Sequence, residues 1–266
     1  MSTAIITGAS SGLGRAYIDA TIRELPDVRE IWIIARNADK LQRIAAQYTN
    51  VRIVPVPLDL TDPHSYDELR DRLAEARPDI RLLVSNAGMG SSQAFADEDP
   101  HRLERLVQLN VTADTIVIRH CLPYMRRGSL LLQTGSILGV FPVRGLAAYS
   151  ASKAYVRTLS IALRSELKTR GIYVTAVQPG LMDTPMLAHE ENGTGSTEDA
   201  ATDRKYRSRT ESGIGAAQTP LPVLNPRDVA AGSLRAVKRN KATYQPHPFN
   251  KMLALLSKLL PASLLL

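Results

Sequence analysis

The feature that most constrains this chain is a short apolar run, Ala4-Ile5-Ile6-Thr7. It passes straight into Gly8-Ala9-Ser10-Ser11-Gly12-Leu13-Gly14 and then into a helical stretch from Arg15 to Glu24. A buried strand, a glycine turn and a helix start, in that order, form the opening unit of a parallel α/β sheet. They also place backbone N–H groups at the positive end of a helix, where a phosphate can be held. Gly8 permits a tight exit from the strand, Gly12 lets a pyrophosphate approach the backbone, and Gly14 lets the helix pack closely on the sheet. The spacing is Gly-x-x-x-Gly-x-Gly rather than Gly-x-Gly-x-x-Gly. A glycine turn alone is weak evidence, but its place between strand and helix favours a dinucleotide site over a flexible loop.

The alternation continues along the chain. Strands are predicted at Ile31–Ala35, Arg52–Val56, Arg81–Val84, Ser129–Thr134, Ile172–Val177 and Ala242–Gln245. Between them, helices are predicted at Ala38–Tyr48, Pro63–Ala76 (Asp62 as N-cap), Pro100–Met125, Tyr149–Arg170 and Asn225–Arg239. Prolines in the third strand suit a position near a sheet edge. The pattern predicts one α/β domain over residues 1–266, a Rossmann-type doubly wound parallel sheet of about seven strands, with no internal repeat or linker.

Further cofactor contacts follow from what ends each strand. The second strand ends at Arg36, where an NAD site usually carries an acidic residue for the ribose 2′-hydroxyl. Ala35 cannot accept that bond, whereas the planar fork of Arg36 can pair with a 2′-phosphate. This favours NADP(H); the other reading is a surface arginine at a strand end. The third strand leads to Asp59-Leu60, which can contact an adenine ring or, through Asp59, cap the next segment. The fourth runs into Asn86-Ala87-Gly88, small enough to let a ribose lie against the backbone. Asn110 falls inside a predicted helix, where Asn competes for backbone bonds. Ser136 follows the fifth strand. The sixth closes on Pro179-Gly180, with Met182 and Thr184 shortly after.

Tyr149 and Lys153 lie four residues apart on a predicted helix and therefore share a face. A fixed cation favours the phenolate, so the pair makes a proton donor and acceptor usable near neutral pH. By itself the spacing also suits a solvated helix face.

Composition narrows the partners. With 44% hydrophobic and 22% charged residues the chain is an ordinary globular one. Its net charge of +7 lacks an aromatic-rich basic motif, which argues against nucleic acid and is compatible with a cavity attracting a phosphorylated cofactor. The single cysteine, Cys121, excludes an internal disulfide and suits a reducing, cytoplasmic setting. The five histidines show no metal-ligand spacing, and neither a signal peptide nor a spanning segment is recognisable. Residues 181–225 suit a substrate lid, polar and glycine-rich around Glu190–Thr197. The leucine-rich tail from Asn250 to Leu266 can cover a pocket, pack on a subunit or lie on a membrane surface, and packing on protein is the favoured reading.

Taken in order, Thr7-Gly8-x-x-x-Gly12-x-Gly14, Asn86-Ala87-Gly88, Asn110, Ser136, Tyr149-x-x-x-Lys153 and Pro179-Gly180 resemble the short-chain dehydrogenase/reductase family over about Thr3 to Thr184. The resemblance implies catalytic roles for Asn110, Ser136, Tyr149 and Lys153. Tyr149 would be the general acid in carbonyl reduction. Lys153 would depress its pKa and hold the nicotinamide ribose, Ser136 would steady the substrate oxygen, and Asn110 would hold a relay water. Cofactor contacts are implied at Gly8, Ser10, Ser11, Gly12, Leu13, Gly14, Arg36, Asp59, Leu60, Asn86, Ala87, Gly88, Tyr149, Lys153, Pro179, Gly180, Met182 and Thr184. Ser85 departs from the family, which often has Asn there. The implied partner is a small carbonyl or alcohol, and the implied assembly a homodimer or homotetramer through the helices around Asn110 and Lys153. The alternatives are a catalytically idle, NADP-binding regulator on the same scaffold and a membrane-surface protein acting through its tail. Phe141, Met182, Met186 and the leucines point toward an apolar substrate.

Overall fold

The computed structural model describes residues 1–91, 93–184 and 222–259. Seven strands, β1 Ser2–Thr7, β2 Glu30–Ala35, β3 Arg52–Pro57, β4 Asp79–Ser85, β5 Met125–Thr134, β6 Tyr173–Val177 and β7 Thr243–Tyr244, form one parallel sheet in the order β3-β2-β1-β4-β5-β6-β7. Strand order reverses between β1 and β4, which opens a crevice beyond their carboxyl ends. Pro55 and Pro57 lie on β3, an edge strand, where a missing N–H is tolerated.

Side-chain alternation along the strands builds a core on each face. Ile6, Ile31, Ile33 and Leu132 pack with α1 (Gly12–Glu24), α2 (Ala38–Ala45) and α7 (Pro226–Lys238). Ile5, Trp32, Ile34 and Leu131 pack with α3 (His64–Ala76) and α5 (Asp114–Cys121) on the other face. On that second face also lie α4 (Pro100–Val107) and α6 (Ala147–Glu166). A final helix, α8 (Pro248–Leu259), sits against the 3-10 turn Ile137–Gly139 that follows β5.

Several expectations need correction. The helix predicted over Pro100–Met125 is not continuous α-helix: a wider, π-helical segment, Gln108–Ala113, separates α4 from α5, and a 3-10 turn, Leu122–Tyr124, ends it. Within that segment the side chain of Asn110 bonds a neighbouring loop. The fifth strand starts at Met125 rather than Ser129, because Ser129 Oγ accepts from Arg126 N–H and donates to the Ile80 carbonyl, holding the polar start on the sheet. The helix bearing Tyr149 begins at Ala147 and ends at Glu166. The N-cap of α3 is Pro63 rather than Asp62, whose carboxylate instead accepts from His64 N–H at 3.0 Å in a turn one residue ahead of the cap. Most of the lid expected over 181–225, and Met186 with it, lies outside the described residues, as does the tail from 260 onward. Among the described residues no helix is long and apolar enough to cross a membrane.

Candidate active site

The glycine turn lies at the carboxyl end of β1. Gly8 and Gly12 adopt positive φ (65° and 50°), a region that side chains avoid. A Cβ on Gly14 would overlap the Gly8 carbonyl oxygen, so α1 approaches the turn as closely as backbone allows. Ser11 is the N-cap of α1, but its side chain makes no capping bond, leaving the first-turn N–H groups directed at the crevice. Ser10 is half-buried, and Leu13 is buried in the core beneath. The turn is tied to β2 by Ala9 N–H donating to the Ile34 carbonyl at 3.3 Å. Arg36, exposed, follows directly after β2 and so stands beside the turn. The carboxylate of Asp59, after β3, accepts from Thr61 N–H and Oγ1 at 2.9 and 2.7 Å, closing a turn ahead of α3 without capping that helix, and Leu60 is buried next to it.

Thr7 braces the next segment. Its hydroxyl accepts from Asn86 N–H (2.8 Å) and Ala87 N–H (2.9 Å), and Asn86 Nδ2 donates to the Thr7 carbonyl at 3.1 Å. Thr134 Oγ1 donates to Asn86 Oδ1 at 3.2 Å, so β1, β4 and β5 are linked at the crevice. Gly88 then passes between two polar groups: a Cβ there would stand 3.1 Å from Asn110 Oδ1 and 3.2 Å from Lys153 Nζ.

Asn110 is only 1% exposed and uses both ends of its amide. Oδ1 accepts from Met89 N–H at 2.8 Å, and Nδ2 donates to the Met89 carbonyl at 2.9 Å and to Ser152 Oγ at 3.0 Å. Ser152 in turn donates to the Tyr149 carbonyl at 2.7 Å. Asn110 thus joins the loop after β4 to the first turn of α6. Lys153, 4% exposed, donates to the Thr134 carbonyl at 3.0 Å, and its Nζ lies 5.7 Å from the centre of the half-buried Tyr149 ring. Burial pushes the ammonium down to about 8, opposed by the Asp114 carboxylate.

Ser136 is buried after β5, with Oγ accepting from Leu138 N–H at 3.1 Å. The turn it opens is pressed on α6: a Cβ on Gly139 would fall 2.5 Å from the Lys153 carbonyl carbon and oxygen. The same turn bonds the end of β6, Ile137 N–H donating to the Pro179 carbonyl at 2.9 Å. Gly180 lies against Asn250 of α8, which is buried and whose Nδ2 has no hydrogen-bond partner among the described residues. Met182 pairs with Leu224 in an isolated parallel bridge, and half-buried Thr184 is the last described residue before the gap.

The arrangement therefore brings Gly88, Asn110, Tyr149 and Lys153 together, with the Ser136 turn seated on the same helix. A family model described as short chain dehydrogenase matches residues 2–194. The chain belongs to the short-chain dehydrogenase/reductase family. An uncharacterized oxidoreductase of Staphylococcus aureus is 30% identical over 187 residues, covering 70% of this chain and 80% of the relative. Among solved structures, a short-chain dehydrogenase from Sphingobium yanoikuyae in complex with NADPH superposes with a TM-score of 0.73 at 27% identity, covering 96% of this chain and 92% of that one. The bulky-bulky ketone specific alcohol dehydrogenase from Comamonas testosteroni gives 0.71 at 28% identity, covering 97% and 93%.

In this short-chain dehydrogenase/reductase, Thr134, Gly139 and Ser152 were not singled out from the sequence, and Thr7 only as the start of the opening motif, although they hold the residues that were. Gly139 carries no local signal beyond marking a loop. Thr7 and Thr134 close apolar strands, and a hydroxyl in that place is the one mark that could have drawn attention to them.

Proposed function

We propose that the protein is an NADP(H)-dependent oxidoreductase that interconverts a carbonyl and an alcohol, with Tyr149 as the acid and base. The observation that carries this reading is the buried Lys153 ammonium beside the Tyr149 ring. A cation held there lowers the cost of phenolate and makes the phenol a usable acid.

The residues present fit a dinucleotide. Gly8 and Gly12 keep side chains out of the turn, the open N–H groups of α1 suit a pyrophosphate, and Gly88 leaves room between Asn110 and Lys153. Ser10, Ser11, Leu13 and Gly14 would complete the phosphate turn, and Asp59 and Leu60 would meet the adenine. Asn86, Ala87 and Gly88 would hold the ribose, and Pro179, Gly180, Met182 and Thr184 the nicotinamide. Exposed Arg36 beside this turn supports the 2′-phosphorylated coenzyme over NAD.

NADPH, when bound, supplies the hydride. In carbonyl reduction Tyr149 gives its hydroxyl proton to the substrate oxygen. Ser136 donates a hydrogen bond to that oxygen as negative charge grows on it. Lys153 stabilises the Tyr149 phenolate left behind and orients the ribose hydroxyls. Asn110 fixes the start of α6 through Ser152, so the phenol is held where it is needed. Half-buried Phe141 and Met182 support an apolar ketone or aldehyde. Exposed Val107 on α4 and Tyr155 and Ile161 on α6 support a homo-oligomer paired through these helices. A panel of apolar and small charged carbonyls, followed by NADPH absorbance, tests the reading. Turnover of apolar ketones is the expected result, and activity confined to small charged substrates would overturn the substrate class.

A further inference from the structure

A buried carboxylate lies beside these elements, and the acid–base roles above make no use of it. Asp114 begins α5, four residues after Asn110, and is 6% exposed. Its Oδ2 accepts from Gln133 Nε2 at 2.8 Å, and Gln133 Oε1 accepts from Ser160 Oγ of α6 at 2.7 Å. Gln133 is fully buried on β5, immediately before Thr134, whose carbonyl receives Lys153 Nζ. A carboxylate, a carboxamide and a serine hydroxyl are thus locked in sequence, and the carboxamide is borne by the residue next to the one that anchors the ammonium. A stability role alone accounts poorly for this cluster, because a buried carboxylate costs free energy unless a charge compensates it.

The charges around Asp114 can be taken element by element. From β4, Ser85 offers its hydroxyl to the carboxylate. The ionic groups of that strand are engaged elsewhere, Asp79 with Arg126 at the start of β5 and Arg81 with Asp27. From α3, Asp67 and Arg70 act on His120 further along α5, as does Arg119. From α6 comes Lys153, among the described residues the one charged group that acts appreciably on Asp114. Burial lifts Asp114 to about 6, and Lys153 opposes that rise. Reciprocally, Asp114 is the group that resists the fall of Lys153.

We propose that Asp114 is a positioning residue of the reaction: held by Gln133 one helical turn beyond Asn110, its carboxylate keeps the Lys153 ammonium charged and thereby sets the pH range over which Tyr149 delivers a proton. The proposal rests on the acid–base reading of Tyr149 and Lys153.

The test is the pH profile of kcat/KM for NADPH-linked reduction of a ketone that the wild type accepts. Asp114→Asn keeps an acceptor for Gln133 and removes the charge. The alkaline limb is expected to move to lower pH by roughly one unit, the lower end of what a near opposite charge exerts on a buried group, and Asp114→Glu is expected to restore it. A folded Asp114→Asn enzyme with an unmoved limb would overturn the proposal. If that variant does not fold, wild-type protein carrying 15Nζ-labelled lysine, with Lys153 assigned by its loss in Lys153→Arg, replaces it. The Lys153 resonance is expected to show an inflection where Asp114 titrates as well as its own, and a single inflection would refute the coupling. Tyr149→Phe separates the two levels: if it still turns over, the reading of the enzyme fails; if it is dead and the limb stays fixed, only the role of Asp114 fails.

Discussion

The ammonium of Lys153 is anchored to the carbonyl of Thr134 at 3.0 Å, the last residue of β5. A flexible four-carbon stem is thereby fixed between a strand end and the ring of Tyr149, one turn earlier on α6. The position of the charge is set by the sheet and not by solvent, and that is what the proposed acid–base role of Tyr149 requires.

Tyr149→Phe removes the hydroxyl and little else. Turnover should fall by roughly three orders of magnitude, within the range for loss of a positioned acid. NADPH binding, followed by fluorescence titration, should change little. Retained turnover would reject Tyr149 as the proton donor.

Arg36→Ala should weaken NADPH far more than NADH. Loss of a charge-assisted contact to phosphate corresponds to about 1.5–3 kcal/mol, or roughly 10- to 150-fold in Kd. Equal losses for the two coenzymes, measured side by side by calorimetry, would undo the 2′-phosphate assignment.

Carbonyl reduction should decline as pH rises through about 8, where Lys153 loses its proton. The sign follows from the roles: below that value the lysine is charged and the phenol acidic, and above it the supporting cation is gone. The profile of kcat/KM with NADPH checks this, and a rate that keeps climbing well above that pH would contradict it.

Gly139→Ala introduces a methyl group at 2.5 Å from the Lys153 backbone. The Ser136 turn or α6 must shift, with a cost of about 1–3 kcal/mol for overpacking. The expected signature is a kcat reduced more strongly than NADPH affinity, because the clash falls on the backbone of Lys153 and not on the glycine turn after β1. A melting curve and a coenzyme titration on the same sample separate the two effects.

Much of this was legible in the residues. Apolar runs such as Ile31–Ala35 gave the strands, and the glycine turn placed the crevice. Tyr149 and Lys153 were visible because helical spacing is local. The losses share a cause: they depend on partners distant in the chain. Nothing near Asn110 announces a widened helix, since the bonds to Met89 that accompany it join residues 21 apart. The start of β5 was missed because Arg126, Arg127 and Gly128 look like a loop, yet Ser129 ties them to Ile80 across 49 residues. Asp114 passed unnoticed because a charged residue in a helix is ordinarily a surface one, and only the fold puts Gln133 and Ser160 around it.

The widened turn at Gln108–Ala113 takes up one added residue within the helix. A π-helical turn holds about one residue more than an α-helical turn, so α4 and α5 keep nearly the facing they would have without it. Taking one residue out would rewind the segment with little rotation of its flanks, and the change would fall on the residues inside it, Asn110 among them. A local surplus of chain, rather than a bend of the whole helix, accompanies the reach of that amide to Met89 and Ser152.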